Sequence, residues 1–374
     1  MIIKRVETAK DRKIFLEFAN RLYKDNEYFV PTLYMNDKAV FNKNYYYYES
    51  CEAEYYLCLD DNGKPLGRIS PFIQRVSNEK TGEKRARFHF FDCVNDQKVA
   101  NLLFDTAVKW ARERGMEKIC GPLGFSDLER EGLLVEGFDK VQTFEEQYNF
   151  DYYPVLVENY GFTKEVDWIE FQVRSKYNQA EMAKVRKVRD YVAEKYGLRL
   201  AKSKNISEFL KTYADKVFDC LDESYSKLYG TVPMTEKMRK EILGQFKLVI
   251  QNDCIIPVVD KSDKVVAFGF VMPNIGEAMR LDGGHLTLRA IFKLLSILKK
   301  PKIIDLGLVG VLPEYQGVGI NSFFIVAMDE YLQSHDIDHF ETNLCLEYNL
   351  SIQKQWKYFD AIPVKRRRSY ILEI

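Results

Sequence analysis

Neither sign of charge is in excess: 55 Lys and Arg stand against 55 Asp and Glu. No whole-protein field therefore draws nucleic acid or an anionic membrane to the chain, and neither is expected as a partner. Cysteine is sparse and without pattern. Cys51, Cys58, Cys93, Cys120, Cys220, Cys254 and Cys345 are odd in number, scattered and never spaced C-x-x-C, which argues against a disulfide framework and for reduced thiols in a cytoplasmic protein. His89, His285, His335 and His339 show no ligand spacing, so they read as ordinary surface residues and no metal is expected. No apolar run reaches transmembrane length, and Met1-Ile2-Ile3-Lys4 is too short for a signal peptide.

What is present is an ordinary globular composition over 374 residues, long enough that two domains are the expectation. Ile2 to Val6 alternates as a strand, and Thr8 with Asp11 three residues on signals a helix start. Tyr45 to Tyr48 are four tyrosines in a row; alternate faces of a strand or loop explain them, an aromatic-lined pocket being the other reading. Residues 54–59 and 65–70 flank Asp60-Asp61-Asn62-Gly63-Lys64, a hairpin signal. A strand over 85–94, a helix over 97–115 and a strand over 118–120 follow. The loop from Gly121 to Asp139, rich in glycine and carboxylate, reads as a sealing loop or a substrate-facing wall.

The pattern then recurs. Tyr55 to Asp60, through Lys64 and Gly67, aligns with Ile255 to Asp260, through Lys264 and Ala267, and the same succession of strands and helices follows each hairpin. The expected organisation is 1–174 and 175–374, with a charged helical stretch from Tyr177 to Tyr196 packing the copies together. Residues 276–300, with a helix whose apolar residues include Ile291, Leu294, Leu295, Ile297 and Leu298, form an insertion expected to border a cleft.

The second copy holds the most informative stretch, Lys302 to Ile325. Ile303 to Leu312 is aliphatic and nearly uncharged, a strand buried on both faces, and Pro313 ends it. Glu314-Tyr315-Gln316-Gly317-Val318-Gly319 opens a helix with Ile320, Phe323, Phe324, Ala327 and Met328 on one face. Strand, glycine loop and helix mouth together make a phosphate site: glycines allow close approach, and the first N–H groups of a helix lack intrahelical partners. Glycines at the start of a helix are also common for purely structural reasons. In the first copy Asn95-Asp96-Gln97 stands at this place, with no glycine and with a carboxylate that repels phosphate.

Val309 to Gly319 resembles the central signature of the GNAT superfamily of N-acetyltransferases, a strand running into a Q/R-x-x-G-x-G/A loop. Gln316 and Gly319 match; Asn321 stands where the family has Gly or Ala. The resemblance implies a mixed α/β (α+β) fold of two tandem acyl-CoA N-acyltransferase-like domains, each a mixed, mostly antiparallel sheet flanked by helices, the first copy degenerate. It implies acetyl-CoA or another acyl-CoA as cofactor, bound by Val309, Gly310, Val311, Gln316, Gly317, Val318, Gly319, Ile320, Asn321 and Asn349, and an acyl acceptor that is a small-molecule or peptide amine. Splayed strands would let the pantetheine arm pair with the backbone at Val309 to Val311, with the Val311 N–H serving the oxyanion. Asp305 stands where some members carry a base; an Asp at a frayed strand start is the structural reading. The usual Tyr acid is replaced by Trp356, with Tyr358 nearby. The function implied is acetyl or acyl transfer to an amine, the other readings being a non-catalytic acyl-CoA-binding or interaction protein and an aminoacyl or longer-chain acyl transferase. Lys365-Arg366-Arg367-Arg368 reads as a final strand with two charges exposed, or as a basic edge reaching an acidic substrate or coenzyme phosphate. Nothing supports or excludes an oligomer.

Overall fold

The computed structural model describes residues 1–144, 146–176, 178–246 and 254–374. The chain divides into two compact units: Met1–Ile169 with Ile275–Leu294 and Val364–Ile374, and Glu170–Asn274 with Leu295–Pro363. The elements in chain order are β1 (Ile2–Arg5), α1 (Ala9–Leu22), α2 (Tyr34–Ala39), β2 (Cys51–Ala53), β3 (Tyr56–Leu59), β4 (Pro65–Gln74), α3 (Arg75–Thr81) and β5 (Arg85–Cys93). Next come α4 (Gln97–Arg112), β6 (Lys118–Gly121), β7 (Leu133–Glu136), α5 (Tyr152–Tyr160), β8 (Thr163–Arg174), α6 (Gln179–Tyr196) and β9 (Arg199–Leu200). They are followed by α7 (Ile206–Tyr225), α8 (Glu236–Phe246), β10 (Ile255–Val259), β11 (Val265–Pro273), α9 (Gly276–Leu281) and α10 (Leu288–Lys299). The chain closes with β12 (Ile303–Val311), α11 (Ser322–Ser334), β13 (His339–Thr342), β14 (Cys345–Leu346), α12 (Leu350–Gln353) and β15 (Asp360–Glu373). Tyr177, the expected start of the long helix, lies outside the described residues.

In the first unit the strand order is β1-β3-β4-β5-β6-β15-β8. The pairs β1–β3, β3–β4, β4–β5 and β6–β15 are antiparallel; β5–β6 is parallel and is joined through α4, as a parallel crossover requires. The second unit has the same plan. β10, β11 and β12 form an antiparallel meander, and β12–β13 is parallel, joined through α11. Local chemistry repeats with it. Asp60 Oδ1 accepts the N–H groups of Asn62 (2.9 Å) and Lys64 (2.8 Å), with Gly63 at φ +79°, and Asp260 Oδ1 accepts those of Ser262 (2.8 Å) and Lys264 (3.0 Å), with Asp263 at φ +66°. A carboxylate that bonds its own turn makes both hairpins self-contained.

The first unit's core gathers Phe88, Phe91, Leu103, Phe104, Ala107 and Trp110 between α4 and the sheet. A buried ion pair crosses it. Arg68 donates through Nε (2.8 Å) and Nη2 (2.7 Å) to Asp92 Oδ2 and through Nη1 to the Phe15 carbonyl (2.7 Å), and the Tyr23 hydroxyl donates to Asp92 (3.1 Å). The expected start of α1 is realised: Thr8 and Asp11 bond each other's backbone N–H in a capping box.

Several expectations are corrected here. The tyrosine run is a 3-10 turn over Tyr46–Glu49, with Tyr45, Tyr46 and Tyr47 buried against the Gly121 to Asp139 loop. The Tyr45 hydroxyl donates to Glu129 (3.1 Å) and the Tyr47 hydroxyl bonds Ser126 (2.6 Å), so the loop is held shut by its neighbours. None of the four basic residues before Tyr370 is exposed. Lys365 donates to Thr143 (2.6 Å), Arg367 to the Gln147 carbonyl, Arg366 to Glu136 (3.1 Å) and Arg368 to Asp167 (2.8 Å). They are spent on internal bonds, not on a ligand's phosphate. His89 and His339 are buried rather than on the surface. Between His339 and Leu346 the chain makes two short strands, β13 and β14, rather than one.

Two outcomes are expected. Arg68→Met leaves the Asp92 carboxylate buried without its cation and costs about 3–5 kcal/mol in urea unfolding. Burial pushes the Glu129 carboxyl up to about 7 and holds Glu131, 5% exposed, well above the usual carboxylate range. A folded-state pKa above the unfolded one means that the unfolded chain loses its proton first, so stability falls as pH rises above about 4.5. Glu131→Gln narrows the difference between urea midpoints at pH 5 and pH 8.

Candidate functional site

β12 is an interior strand along only part of its length. It pairs with β11 from Ile304 to Val311, but with β13 only from Ile303↔His339 to Leu306↔Thr342. There the partner turns away: Asn343 donates its N–H to the Leu306 carbonyl (2.9 Å), and its own side-chain oxygen accepts the Leu344 N–H (2.7 Å). Among the described residues no strand flanks Gly307 to Val311 on that side.

A bulge decides which groups face the opening. Phe270 pairs with Leu308 and Val271 with Leu306, so Gly307 is an extra residue, and the alternation of the strand's hydrogen-bonding groups changes sign across it. The Leu306 carbonyl points to β13, whereas the Leu312 N–H points to β11, where it meets the Val266 carbonyl (2.9 Å). Val309 and Val311 therefore turn their main-chain groups to the open side. Their carbonyls are engaged there: the Tyr225 hydroxyl donates to Val309 O (3.2 Å) and Gln316 Nε2 to Val311 O (3.0 Å). Their N–H groups remain as donors. Gly310 has no room for a side chain, since a Cβ would stand 2.4 Å from the Phe268 ring and 2.7 Å from Ser224 Oγ.

The loop that follows is a concave run of amides. Pro313–Tyr315 makes one 3-10 turn, Gly317 and Gly319 take φ of +76° and +94°, and Asn321 enters α11 without a side-chain cap bond. Among the described residues the N–H groups of Gly317, Val318, Gly319, Ile320 and Asn321 donate to no protein acceptor. Successive free N–H groups at the positive end of a helix form an anion cradle. α6 backs it. A Cβ on Gly319 would lie 3.2 Å from Val188 Cγ1 and 3.4 Å from Val192 Cγ2, and Arg186 ties α6 to α11 through Asp329 (2.9 Å). The mouth of α4 in the first unit is different: Asp96 caps it, its side chain accepting the Lys98 N–H (2.8 Å).

Asp305 sits three residues into β12, paired on both sides with Met272 and Glu341, not at a frayed end. It is 6% exposed, and Asn274 Nδ2 reaches both of its oxygens (2.9 and 3.1 Å). Neighbouring positions in register share a face, so Asp305 stands beside Glu341, and Glu341 beside Gln172 of β8. His339 lies two residues before Glu341, with Nε2 3.5 Å from its carboxylate and Nδ1 2.6 Å from Asp338, whose carboxyl the imidazole holds low. The opposite face of these strands, Ile304, Phe340 and Val173, packs on Met182 and Val185 of α6 and Ile325 and Val326 of α11.

The residues from Val309 to Asn321 thus form one strand edge and one cradle. Asp305 shares the strand, but six residues of extended chain put it about 20 Å from Val311, too far for one acyl group to touch both. Asn349 lies at the start of α12, its side-chain oxygen accepting the Ser351 hydroxyl (2.7 Å); none of its hydrogen bonds reaches the cradle. The indole N–H of Trp356 is buried and has no acceptor among the described residues. Glu341, Asn274 and Tyr225 were not singled out from sequence, because only cross-strand register and helix packing bring them to β12.

No family model matches the chain. It is 25% identical over 384 residues to Protein YghO of Escherichia coli (strain K12), covering 100% of this chain and 95% of that protein. It is 26% identical over 354 residues to a protein of Caulobacter vibrioides (strain NA1000 / CB15N) named bacterial ceramide synthase, covering 92% and 90%. Among solved structures it is similar to a tandem GNAT protein from the clavulanic acid biosynthesis pathway, with a TM-score of 0.55 at 12% identity, over 100% and 98% of the two chains. A GCN5-related glucosamine N-acetyltransferase region of a fungal multi-domain GH3 β-N-acetylglucosaminidase gives 0.57 at 14% identity, over 99% of this chain and 38% of that one. With the antiparallel meander and helix-joined parallel strand occurring twice, these likenesses establish a GNAT-fold protein with tandem domains.

Proposed function

We propose that the chain is an acyltransferase that binds acyl-coenzyme A at the β12–α11 cradle and transfers the acyl group to an amine. The observation that carries this reading is the run of five N–H groups from Gly317 to Asn321 that have no partner among the described residues, beside a strand edge that no described strand covers. The donors fit a pyrophosphate: they are many, uncharged and fixed by the backbone, and no carboxylate caps them. When bound, the coenzyme supplies an activated thioester.

Each role follows from position. Gly317, Val318, Gly319, Ile320 and Asn321 hold the anion through their N–H groups, with Gln316 pinning the Val311 carbonyl so that the loop keeps its curve. The N–H groups of Val309 and Val311 are strand donors for an extended amide-bearing arm. Given the length of β12 between them, Val311 serves that arm, and the acyl carbonyl belongs nearer Asp305. Asp305 takes the proton from the acceptor's ammonium, its carboxylate oriented by Asn274, and Glu341 beside it adds negative charge that draws a cationic amine. The likeness to a protein named bacterial ceramide synthase supports a lipid-like amine and an acyl group longer than acetyl. A non-catalytic acyl-CoA-binding protein is the second reading, favoured by Trp356, whose indole cannot protonate a leaving thiolate.

The test is thiol release from acetyl-CoA and palmitoyl-CoA with a panel of amines that includes long-chain amino alcohols, alongside calorimetric binding of each coenzyme. The expected result is turnover with at least one amine. Gly319→Val, which forces a side chain into a left-handed residue against Val188, weakens binding tenfold or more. Absence of coenzyme binding by the wild type at millimolar concentration removes both readings, and binding without turnover across the panel selects the second. Asp305→Asn lowers kcat by about 100-fold or more and abolishes the rise of rate with pH as the carboxylate ionises; an unchanged pH profile takes the base role away from Asp305.

A further inference from the structure

We infer that α10 docks the protein on the surface of an anionic lipid bilayer. Leu288, Ile291, Phe292 and Leu295 recur at i, i+3, i+4 and i+7, the spacing of one helix face, and are 76%, 37%, 72% and 56% exposed. The opposite face, Ala290 and Leu294, is buried. A contiguous stripe of large apolar side chains in water marks a docking surface.

Charge identifies the occupant. Residues 288–302, LRAIFKLLSILKKPK, hold five cations and no acid, in a chain where 55 of 374 residues are acidic and about two would be expected there. Lys293 is paired with Glu277 and Lys302 with Asp336, but among the described residues Arg289, Lys299 and Lys300 have no ion pair. Lys299 prolongs the apolar stripe and Arg289 flanks it, so cations meet a headgroup layer while Phe292 and the leucines enter the acyl boundary. A second copy is the poorer occupant, because a two-fold contact would set the same cations against each other. At 12 residues the helix is about 18 Å long, too short to span, and no helix among the described residues is long and apolar enough to cross a membrane. The helix therefore lies on the bilayer.

The inference does not rest on acyl transfer, because the assay reads binding without turnover. The full-length protein is sedimented with vesicles of phosphatidylcholine alone and of phosphatidylcholine with one third phosphatidylglycerol. The expected result is at least tenfold more protein bound to the anionic vesicles. That excess falls tenfold in Leu288→Ser/Phe292→Ser and in Arg289→Glu/Lys299→Glu, with circular dichroism and Tm unchanged because these side chains are exposed. The inference is overturned if the wild type ignores anionic vesicles or if both variants bind as the wild type does. It is equally overturned if analytical ultracentrifugation shows a dimer that Leu288→Ser/Phe292→Ser converts to monomer.

Discussion

An extra residue in one strand governs the second unit. Gly307 has no counterpart on β11, and its insertion reverses which residues of β12 offer their amides to β11 and which offer them outward. Because β13 leaves at Leu306, the reversed groups meet no partner strand among the described residues, and Val309 and Val311 turn their donors to the open side. Glycine is required at the bulge because a Cβ there would come within 2.6 Å of the Phe270 ring. The cradle depends on the same geometry, since Gln316 reaches back to a Val311 carbonyl that the bulge has turned its way.

The two units use one plan with opposite polar economies. In the first, ionisable groups are turned upon one another: Arg68 on Asp92, Arg368 on Asp167, the tyrosine turn on the Glu129 loop, and Asp96 on its own helix mouth. Charges paired in this way are costly to separate, because removing either partner leaves the other buried and uncompensated. In the second unit the helix mouth has no cap, and the strand edge is open. Unmade backbone bonds are costly unless water or a ligand completes them. Their clustering at one strand, loop and helix sets the second unit apart from the first.

Much of this was legible in the residues. The turn-forming Asp60 and Asp260, the capping pair Thr8 and Asp11, and the left-handed turns at Gly317 and Gly319 depend on neighbours a few positions away, so these local conformations survive in a linear reading. The duplication was legible for the same reason. The bulge at Gly307 was not, because one glycine in an aliphatic run looks like any other until its partner strand is counted against it. Nor was the break after Thr342, or the meeting of Asp305 with Glu341, which lie 36 positions apart in the chain. The use of Lys365 to Arg368 was equally hidden, since their partners Thr143, Gln147, Glu136 and Asp167 are some 200 residues away.

Local pattern by itself determined the hairpins, the caps, the glycine loop and the repeated order of strands and helices, since each depends on backbone preference and hydrogen bonds within a few residues. Tertiary structure alone decided which strand edge stays open, which carboxylates stand side by side, and that Leu288, Ile291, Phe292 and Leu295 face water while Ala290 and Leu294 face the core. Periodicity shows that a helix has an apolar face. Only packing says whether that face is covered, because burial is a property of neighbours brought together by the fold.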